Sequence, residues 1–344
     1  MGDNGRLSAP CCLMSPTPPN TPTRRWLQQA LTWLVGLGLL AWLLSHVPLD
    51  TVREALAAPS PWVWAGTLLG LLLSYLMRAA RLQIVLGLAD SPQAPSARTA
   101  LGLRLDALRV ILMHNAAVNL LPMRAGELSF PWLASTQLRM PLAQAVASLL
   151  WMRLQDLAVL LALGLMLWPG LPLAWRAGGL TLLVLGWQAG IKTLNALHAS
   201  AHKQDGASGA KWKALLQRLH TALLDPHHHQ PTAWLFTWAN WAIKLTAGAL
   251  LLSAITRAGM GAGWAGALGG ELAAVVPIQG PAGFGTYEAG VWAGFALSMP
   301  AGSVGLSQAV PAALALHLCF LLCAVAAGAI AWATPSWTSP RLPD

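Results

Sequence analysis

Charge is scarce in this chain. Only 10% of its 344 residues are Asp, Glu, Lys or Arg, while 56% are hydrophobic. A soluble domain carries roughly 25% charged residues, so a soluble globular fold is excluded. Tyrosine is almost missing, with two residues against 18 tryptophans, a bias that fits aromatic anchoring at a membrane interface. The four cysteines give no disulfide framework: Cys11 and Cys12 sit in a proline-rich tail, and Cys319 and Cys323 share a face of an apolar run. No apolar region precedes Cys11, which argues against a lipoprotein signal. There is no HExxH, no CxxC, no Walker lysine pattern and no convincing Ser/His/Asp set. The expectation is therefore a non-enzyme with no metal and no cofactor.

What is present is apolar length. Six runs read as full spans, at 27–46, 62–86, 142–168, 176–197, 232–256 and 308–333, each able to cross about 30 Å of hydrocarbon. The net charge of +9 comes from residues lying between these runs. They read as topology determinants and contacts for anionic lipid headgroups, and nucleic acid is not expected as a partner. Residues 1–23 read as a disordered tail, 24–335 as one transmembrane domain and 336–344 as a second tail.

Shorter apolar pieces at 107–121, 127–138, 264–276 and 286–298 flank two breaks. The first break is Asn119-Leu-Leu-Pro122-Met-Arg124-Ala-Gly126-Glu127, and the second is Pro277-Ile-Gln-Gly280-Pro281-Ala-Gly283-Phe-Gly285-Thr-Tyr-Glu288. Irregular backbone at membrane depth is tolerated only where protein or a wet cavity satisfies it, so paired breaks point to a substrate site.

Positive charge sets the topology. Arg24 and Arg25 precede the first run, Arg98, Arg104 and Arg109 follow the second, and Lys203, Lys211, Lys213 and Arg218 lie in the 198–231 loop. All three regions, and with them both termini, are expected on the cytoplasmic side. Crossing parity then makes each break a re-entrant hairpin, or alternatively a pair of thin crossings. The fold class expected is an all-α polytopic membrane protein with six full spans and two broken, re-entrant hairpins. Its units 27–168 and 176–333 would form an inverted repeat.

The first break concentrates polarity, with His114, Asn115, Asn119, Arg124 and Glu127. Asn115 and Asn119 share a helix face leading into the turn. Pro122 ends the helical ladder, Gly126 permits a positive φ, and Arg124 is a fork suited to phosphate or carboxylate. Membrane-depth Arg124 and Glu127 would each cost about 2.5–3.5 kcal/mol on insertion scales, so either they bind or gate a substrate or they neutralise each other. Arg153 and Asp156 are neighbours on one face, read as a local salt bridge or as part of a network reaching Arg124 and Glu127. In the second break Gly280, Gly283 and Gly285 would let backbone N–H groups approach an anion, beside the helix N-terminus at which Glu288 sits. Glu271 is a carboxylate in an apolar run, either a coupling site or an interhelical hydrogen bond, with Lys244 as one pairing partner. The His227-His228-His229 tract reads as a solvated loop rather than a metal site, and 210–224 as an interfacial amphipathic helix.

These motifs together carry a resemblance. Asn119-x-x-Pro122-x-Arg124-x-Gly126-Glu127, Arg153-x-x-Asp156, and Pro277 with Gly283-Phe-Gly285-x-x-Glu288 resemble the transmembrane region of lysylphosphatidylglycerol synthases and the stand-alone flippase-like proteins of bacteria and archaea. Arg78 and Arg81 fit the family's basic pair. The resemblance implies a multi-pass inner-membrane protein that moves or handles a lipid between leaflets. With Arg124 and the basic cytoplasmic loops to attract it, the expected cargo is a membrane phospholipid or lipid-linked substrate with an anionic headgroup. The alternative is a non-transporting subunit that presents lipid to a separate envelope-biosynthesis enzyme. Two-domain relatives add a soluble aminoacyltransferase domain. This chain closes soon after its last span, so aminoacyl transfer is not expected. An intramembrane enzyme using Glu127 and Asp156 as acid and base is a third option, without a nucleophile to serve it.

Overall fold

The computed structural model describes residues 49–88, 97–201, 221–276, 280–300 and 304–337. Among them secondary structure is helical throughout, in the order α1 (Leu49–Ala57), α2 (Pro61–Val85), α3 (Ala97–Leu120), a 3-10 turn (Pro122–Leu128), α4 (Ser129–Gln137), α5 (Leu142–Leu167), α6 (Leu173–Ala201), a 3-10 turn (Pro226–His229), α7 (Pro231–Thr256), α8 (Met260–Val275), a 3-10 turn (Pro281–Gly283), α9 (Thr286–Ser298) and α10 (Leu306–Ala333).

Four helices, α2, α5, α7 and α10, have 25 to 28 residues and the apolarity of membrane spans. At the α-helical rise such lengths reach roughly 40 Å, more than the hydrocarbon core requires. The protein is an all-α polytopic membrane protein. The expected 27–46 span lies outside the described residues, as do most of the basic 198–231 loop and most of the 210–224 segment. α6 covers the expected 176–197 span and is 29 residues long. It falls short of the apolarity of the other four, because Arg176, Gln188, Lys192 and Asn195 interrupt it.

The centre of the bundle is the antiparallel crossing of α2 and α7. Small residues let the backbones close in: a Cβ built on Gly70 would lie 2.7 Å from that of Ala247. Polar side chains fasten the same seam, with Ser74 Oγ donating to Asn240 Oδ1 at 2.7 Å. α3 and α10 form a second antiparallel pair, in which Gly328 sits on Ala116.

Connections group on two faces. On one, Gly87 meets His227, Arg109 Nε donates to the Ala331 carbonyl at 2.7 Å, and Asp106 accepts from Ser336 Oγ and the Trp337 N–H at 3.1 and 3.0 Å. On the other, Arg176 caps the end of α5 through the Met166 and Trp168 carbonyls at 2.7 and 3.0 Å, and Gly261 lies beside Pro169.

Each sequence break is the tip of a helical hairpin. α3 and α4 run antiparallel, joined at their outer ends by Arg109 Nη1 donating to Gln137 Oε1 at 3.1 Å, and this hairpin opens on the first face. α8 and α9 run antiparallel and open on the second. The two tips meet, the 122–128 turn lying against the 281–283 turn. The expected short piece at 107–121 is part of a longer helix of 24 residues. Residues 97–109 are rich in Ala, Leu and Arg, strong helix formers that extend it outward. Only its inner half, after Arg109, is apolar enough for membrane depth.

Candidate functional site

The first hairpin is held by ion pairs. Arg81 on α2 forks onto Asp156 of α5, Nη1 to Oδ1 at 2.5 Å and Nη2 to Oδ2 at 3.3 Å. Arg153, one turn earlier on α5, bonds Asp156 Oδ2 at 3.3 Å and Glu127 Oε2 at 2.9 Å. The chain Arg81–Asp156–Arg153–Glu127 thus ties α2, α5 and the hairpin tip together. Trp241 Nε1 of α7 donates to Asp156 Oδ1 at 2.9 Å, filling a remaining lone pair. Sequence spacing shows the Arg153–Asp156 neighbours but not Arg81, which comes from a helix far away in the chain.

His114 joins through a defined tautomer. Ser129 Oγ donates to the Gly126 carbonyl at 2.6 Å, so His114 Nδ1 is the donor in its 2.9 Å contact with Ser129 Oγ. Nε2 is then free to accept from Arg153 Nη2 at 3.2 Å, and the ring is neutral. Asn115 Oδ1 accepts from Arg78 at 2.9 Å, while Asn119 Nδ2 turns back to the Asn115 carbonyl at 2.7 Å.

Gly126 plays a different part from the one expected. It is not among the glycines with positive φ. Its role is close approach, since a Cβ there would lie 2.3 Å from the Ala117 carbonyl oxygen. The backbone of Pro122 and Arg124 belongs to the 3-10 turn, but their side chains lie outside the described part of the structure, as does Pro277 entirely.

The second hairpin is held by glycine. A Cβ on Gly269 would lie 2.2 Å from the Gly290 carbonyl oxygen, and one on Gly294 would lie 2.1 Å from that of Ala265. At the tip Ala282, Gly283 and Gly285 all have positive φ, at 52°, 82° and 83°. Two of the three backbone N–H groups expected to face an anion, those of Gly283 and Gly285, are occupied by the chain itself. Gly285 N–H donates to Glu288 Oε2 at 2.6 Å, and Gly283 N–H to the Gly280 carbonyl at 2.9 Å. Glu288 at the third helical position thus caps its own helix.

His317 of α10 secures that tip. Its Nε2 donates to the Ala282 carbonyl at 2.9 Å and its Nδ1 lies 2.6 Å from Glu288 Oε1. With Nε2 protonated, a further proton must lie between Nδ1 and the carboxylate. The pair is neutral overall, whether as imidazolium with carboxylate or as imidazole with carboxylic acid.

Glu271 is not isolated, because Lys244 Nζ donates to its Oε2 at 2.7 Å. The His227–His229 tract is a 3-10 turn rather than a solvated loop. His228 is wholly buried, bonded to Ser148 Oγ at 2.9 Å and stacked on Trp151. Among the described residues no cluster of His, Cys, Asp and Glu has the makings of a metal site.

Both tips face one cavity of about 580 Å³, lined by Arg78, Asn115, Asn119, Glu127, Arg153 and Asp156 on one side. Lys244, Glu271, Gly283, Thr286, Tyr287 and His317 complete the other side. A second cavity, about 550 Å³ between α5, α6 and α7, is almost wholly apolar, with Trp187, Trp234 and Trp238 in its wall. Of these two cavities, the first is the one with ionisable side chains in its wall.

The model of the lysylphosphatidylglycerol synthase TM region matches residues 29–328. The chain belongs to that family. The lysylphosphatidylglycerol synthase TM match takes in both hairpins, the ion-pair chain and every cavity residue named above. No curated protein and no solved structure is matched by the chain. Arg78, Lys244, Thr286, Tyr287 and His317 line the cavity without having been among the residues expected at the site. For Arg78 the signal was its spacing with Arg81 on one turn of an otherwise apolar helix.

Proposed function

We propose that the protein moves a membrane lipid or lipid-linked substrate with an anionic headgroup between leaflets, by way of the cavity where the two hairpin tips meet. The observation carrying this reading is Arg78. Its guanidinium lines the cavity, its bond is to the neutral Asn115, and among the described residues no carboxylate lies within ion-pair distance. Arg81 and Arg153 share Asp156 and Glu127, Lys244 is matched by Glu271, and the His317–Glu288 pair is neutral. Among the described side chains of the cavity, Arg78 is the cation that no carboxylate pairs, and an unpaired cation at membrane depth is expensive. A phosphodiester fits the planar fork of arginine.

The hairpins support this reading because they open on opposite faces and meet in the middle, the arrangement of inverted-repeat transporters whose site lies between repeats. In this scheme residues 27–168 and 176–333 are the two units, and α2 and α7 their equivalent second spans. In this reading the face bearing Gly87, His227 and Ser336 is the cytoplasmic one, since the arginine-bearing outer end of α3 lies there and positive charge favours that side. The membrane is the bacterial inner membrane, the setting that the family resemblance implies.

The test is translocation of tail-labelled phosphatidic acid in liposomes containing the purified protein, read by quenching of the outer leaflet. The wild type moves the lipid, and Arg78→Gln slows it at least tenfold. A wild-type rate equal to protein-free liposomes, or an unchanged rate for Arg78→Gln, overturns the proposal.

A further inference from the structure

His317 stands between two acceptors at the inner end of the second hairpin. Its Nε2 lies 2.9 Å from the Ala282 carbonyl and its Nδ1 2.6 Å from Glu288 Oε1. Carbonyl and carboxylate oxygens only accept, and a neutral imidazole carries a single N–H. Both contacts are therefore made only while the pair holds one proton more than a neutral ring and a carboxylate have between them. Without that proton, one of the two contacts sets lone pair against lone pair.

The geometry decides which contact gives way. Glu288 is tethered by its other oxygen, which accepts from the Gly285 N–H at 2.6 Å and caps α9. The remaining imidazole N–H goes to the carboxylate, since a bond to a charged acceptor is roughly twice as strong as one to a neutral carbonyl. Ala282 is then released. Its φ is 52°, a conformation that residues with a Cβ adopt rarely, so nothing local holds it in place. His317 is in the cavity wall, which gives the proton an exit, although Glu288 is 1% exposed.

Among the described residues no other ionisable side chain hydrogen-bonds to either partner. Around the pair stand Cys319 of α10 and Tyr287 of α9, whose ring centroid is 4.7 Å from that of His317. The cavity wall adds Lys244 with Glu271, Arg153 with Glu127 and Asp156, and Arg78 on Asn115. His114 of α3 is spent on Ser129 and Arg153. Asp50, Arg53 and Glu54 of α1, which packs on α10, are exposed.

We infer that the His317–Glu288 pair is a proton-binding site that latches the second tip. Protonated, it holds the 281–283 turn, against which the 122–128 turn lies. Deprotonated, it lets that turn go and frees the first hairpin, while α8 and α9 stay joined along their glycine seam. Taken with the proposal that a lipid passes between the tips, on which this step rests, the proton becomes its coupling ion.

Amide hydrogen exchange on the purified full-length protein reads the latch without any lipid. From about pH 5 to about pH 9, either side of the ordinary histidine range, wild-type peptides spanning 280–289 lose protection by about tenfold after correction for intrinsic rates. Peptides from α8 keep theirs. Glu288→Gln puts an amide N–H on Nδ1 and an amide oxygen on the Gly285 N–H. It keeps every bond without the extra proton, so its protection is flat across the range. His317→Ala is unprotected throughout. Constant protection in the wild type, or a loss that Glu288→Gln shares, overturns the inference. Where Glu288→Gln does not fold, the wild-type profile decides.

Coupling is read in liposomes with tail-labelled phosphatidylglycerol, whose diester stays charged over this range, after subtraction of protein-free liposomes. An imposed pH gradient speeds wild-type movement severalfold and has no effect on Glu288→Gln. Movement that ignores the gradient overturns the coupling and leaves lipid translocation standing. No movement of this lipid or of phosphatidic acid, with the latch seen by exchange, overturns translocation and leaves the proton site standing.

Discussion

The two hairpins solve one problem by opposite means. Each must place irregular backbone at membrane depth and hold it against a neighbour. The α3–α4 hairpin does so with charge: Glu127 at its tip is tied through Arg153 and Asp156 to Arg81 on α2. The α8–α9 hairpin does so mainly with the absence of side chains, as Gly269, Gly290 and Gly294 bring two backbones into direct contact, while the Lys244–Glu271 pair ties α8 to α7 and the neutral His317–Glu288 pair pins the tip. Ion pairs have alternative partners and can be exchanged during a conformational cycle, whereas a glycine seam either fits or separates. The prediction drawn from this difference is that the first hairpin moves while the second gives rigid support.

Substitutions break this comparison in a definite order. The largest effect is at Asp156. Asp156→Asn leaves Arg81 and Arg153 facing each other with Glu127 alone to compensate, and removing one partner of a buried pair costs about 3–5 kcal/mol. The expected result is loss of the monodisperse peak in detergent or a thermal midpoint lowered by many degrees. Exchange of Asp156 for Glu recovers part of it.

Overpacking of the glycine seam comes next. Gly294→Ala would set a Cβ 2.1 Å from the Ala265 carbonyl oxygen, and inserting a methyl group into a close-packed contact costs about 1–3 kcal/mol. The same change at Gly186, where a Cβ meets nothing within 4 Å, leaves the thermal midpoint unchanged and serves as the control. Equal midpoints for the two variants would remove the case for a rigid second hairpin.

The smallest effect lies outside the spans, at the turn before α7. Burial holds His228 below the ordinary histidine range. Its neutral form is built into the fold, while the unfolded chain takes up a proton near pH 6.5. Stability from this residue is complete above about pH 6.5 and declines as pH falls below it, since the unfolded state then binds more protons. Asp225 beside it works in a lower window. Burial alone would raise its carboxyl, but the backbone N–H and ring of His227 hold it below the usual range, so its contribution is lost only below about pH 4. Thermal midpoints measured between pH 7.5 and 5 should fall for the wild type and be flatter for His228→Asn. Parallel curves would show that His228 does not set this dependence.

Much of this architecture was legible in the sequence because membranes punish irregularity. Pro122 with Gly126, and Pro281 with Gly283 and Gly285, stood out within apolar runs where only a built feature survives. The spans 62–86, 142–168, 232–256 and 308–333 followed from length and apolarity and coincide with α2, α5, α7 and α10. Arg153 and Asp156 could be paired from helical spacing alone. What stayed hidden is what the third dimension decides. Arg81 meets Asp156 across 75 positions of chain, and no local rule links them. Gly126 looked like a φ residue and proved to be a contact residue, a distinction visible only once Ala117 lies beneath it. The glycine N–H groups of the second tip looked available to an anion, but Glu288 takes that of Gly285 and the Gly280 carbonyl takes that of Gly283.

The central claim is that an anionic headgroup lies in the polar cavity between the tips rather than in the apolar cavity between α5, α6 and α7. The most direct measurement is photocrosslinking with an anionic phospholipid carrying a photoreactive group at its headgroup, followed by peptide mapping on the wild type and on Arg78→Gln. The account predicts labelled peptides from the inner ends of α3 and α8 and around Arg78, with labelling there lost in Arg78→Gln. Labelling confined to Leu180–Gln188 and Trp234–Trp238 in the wall of the apolar cavity, and unaffected by the substitution, would contradict it.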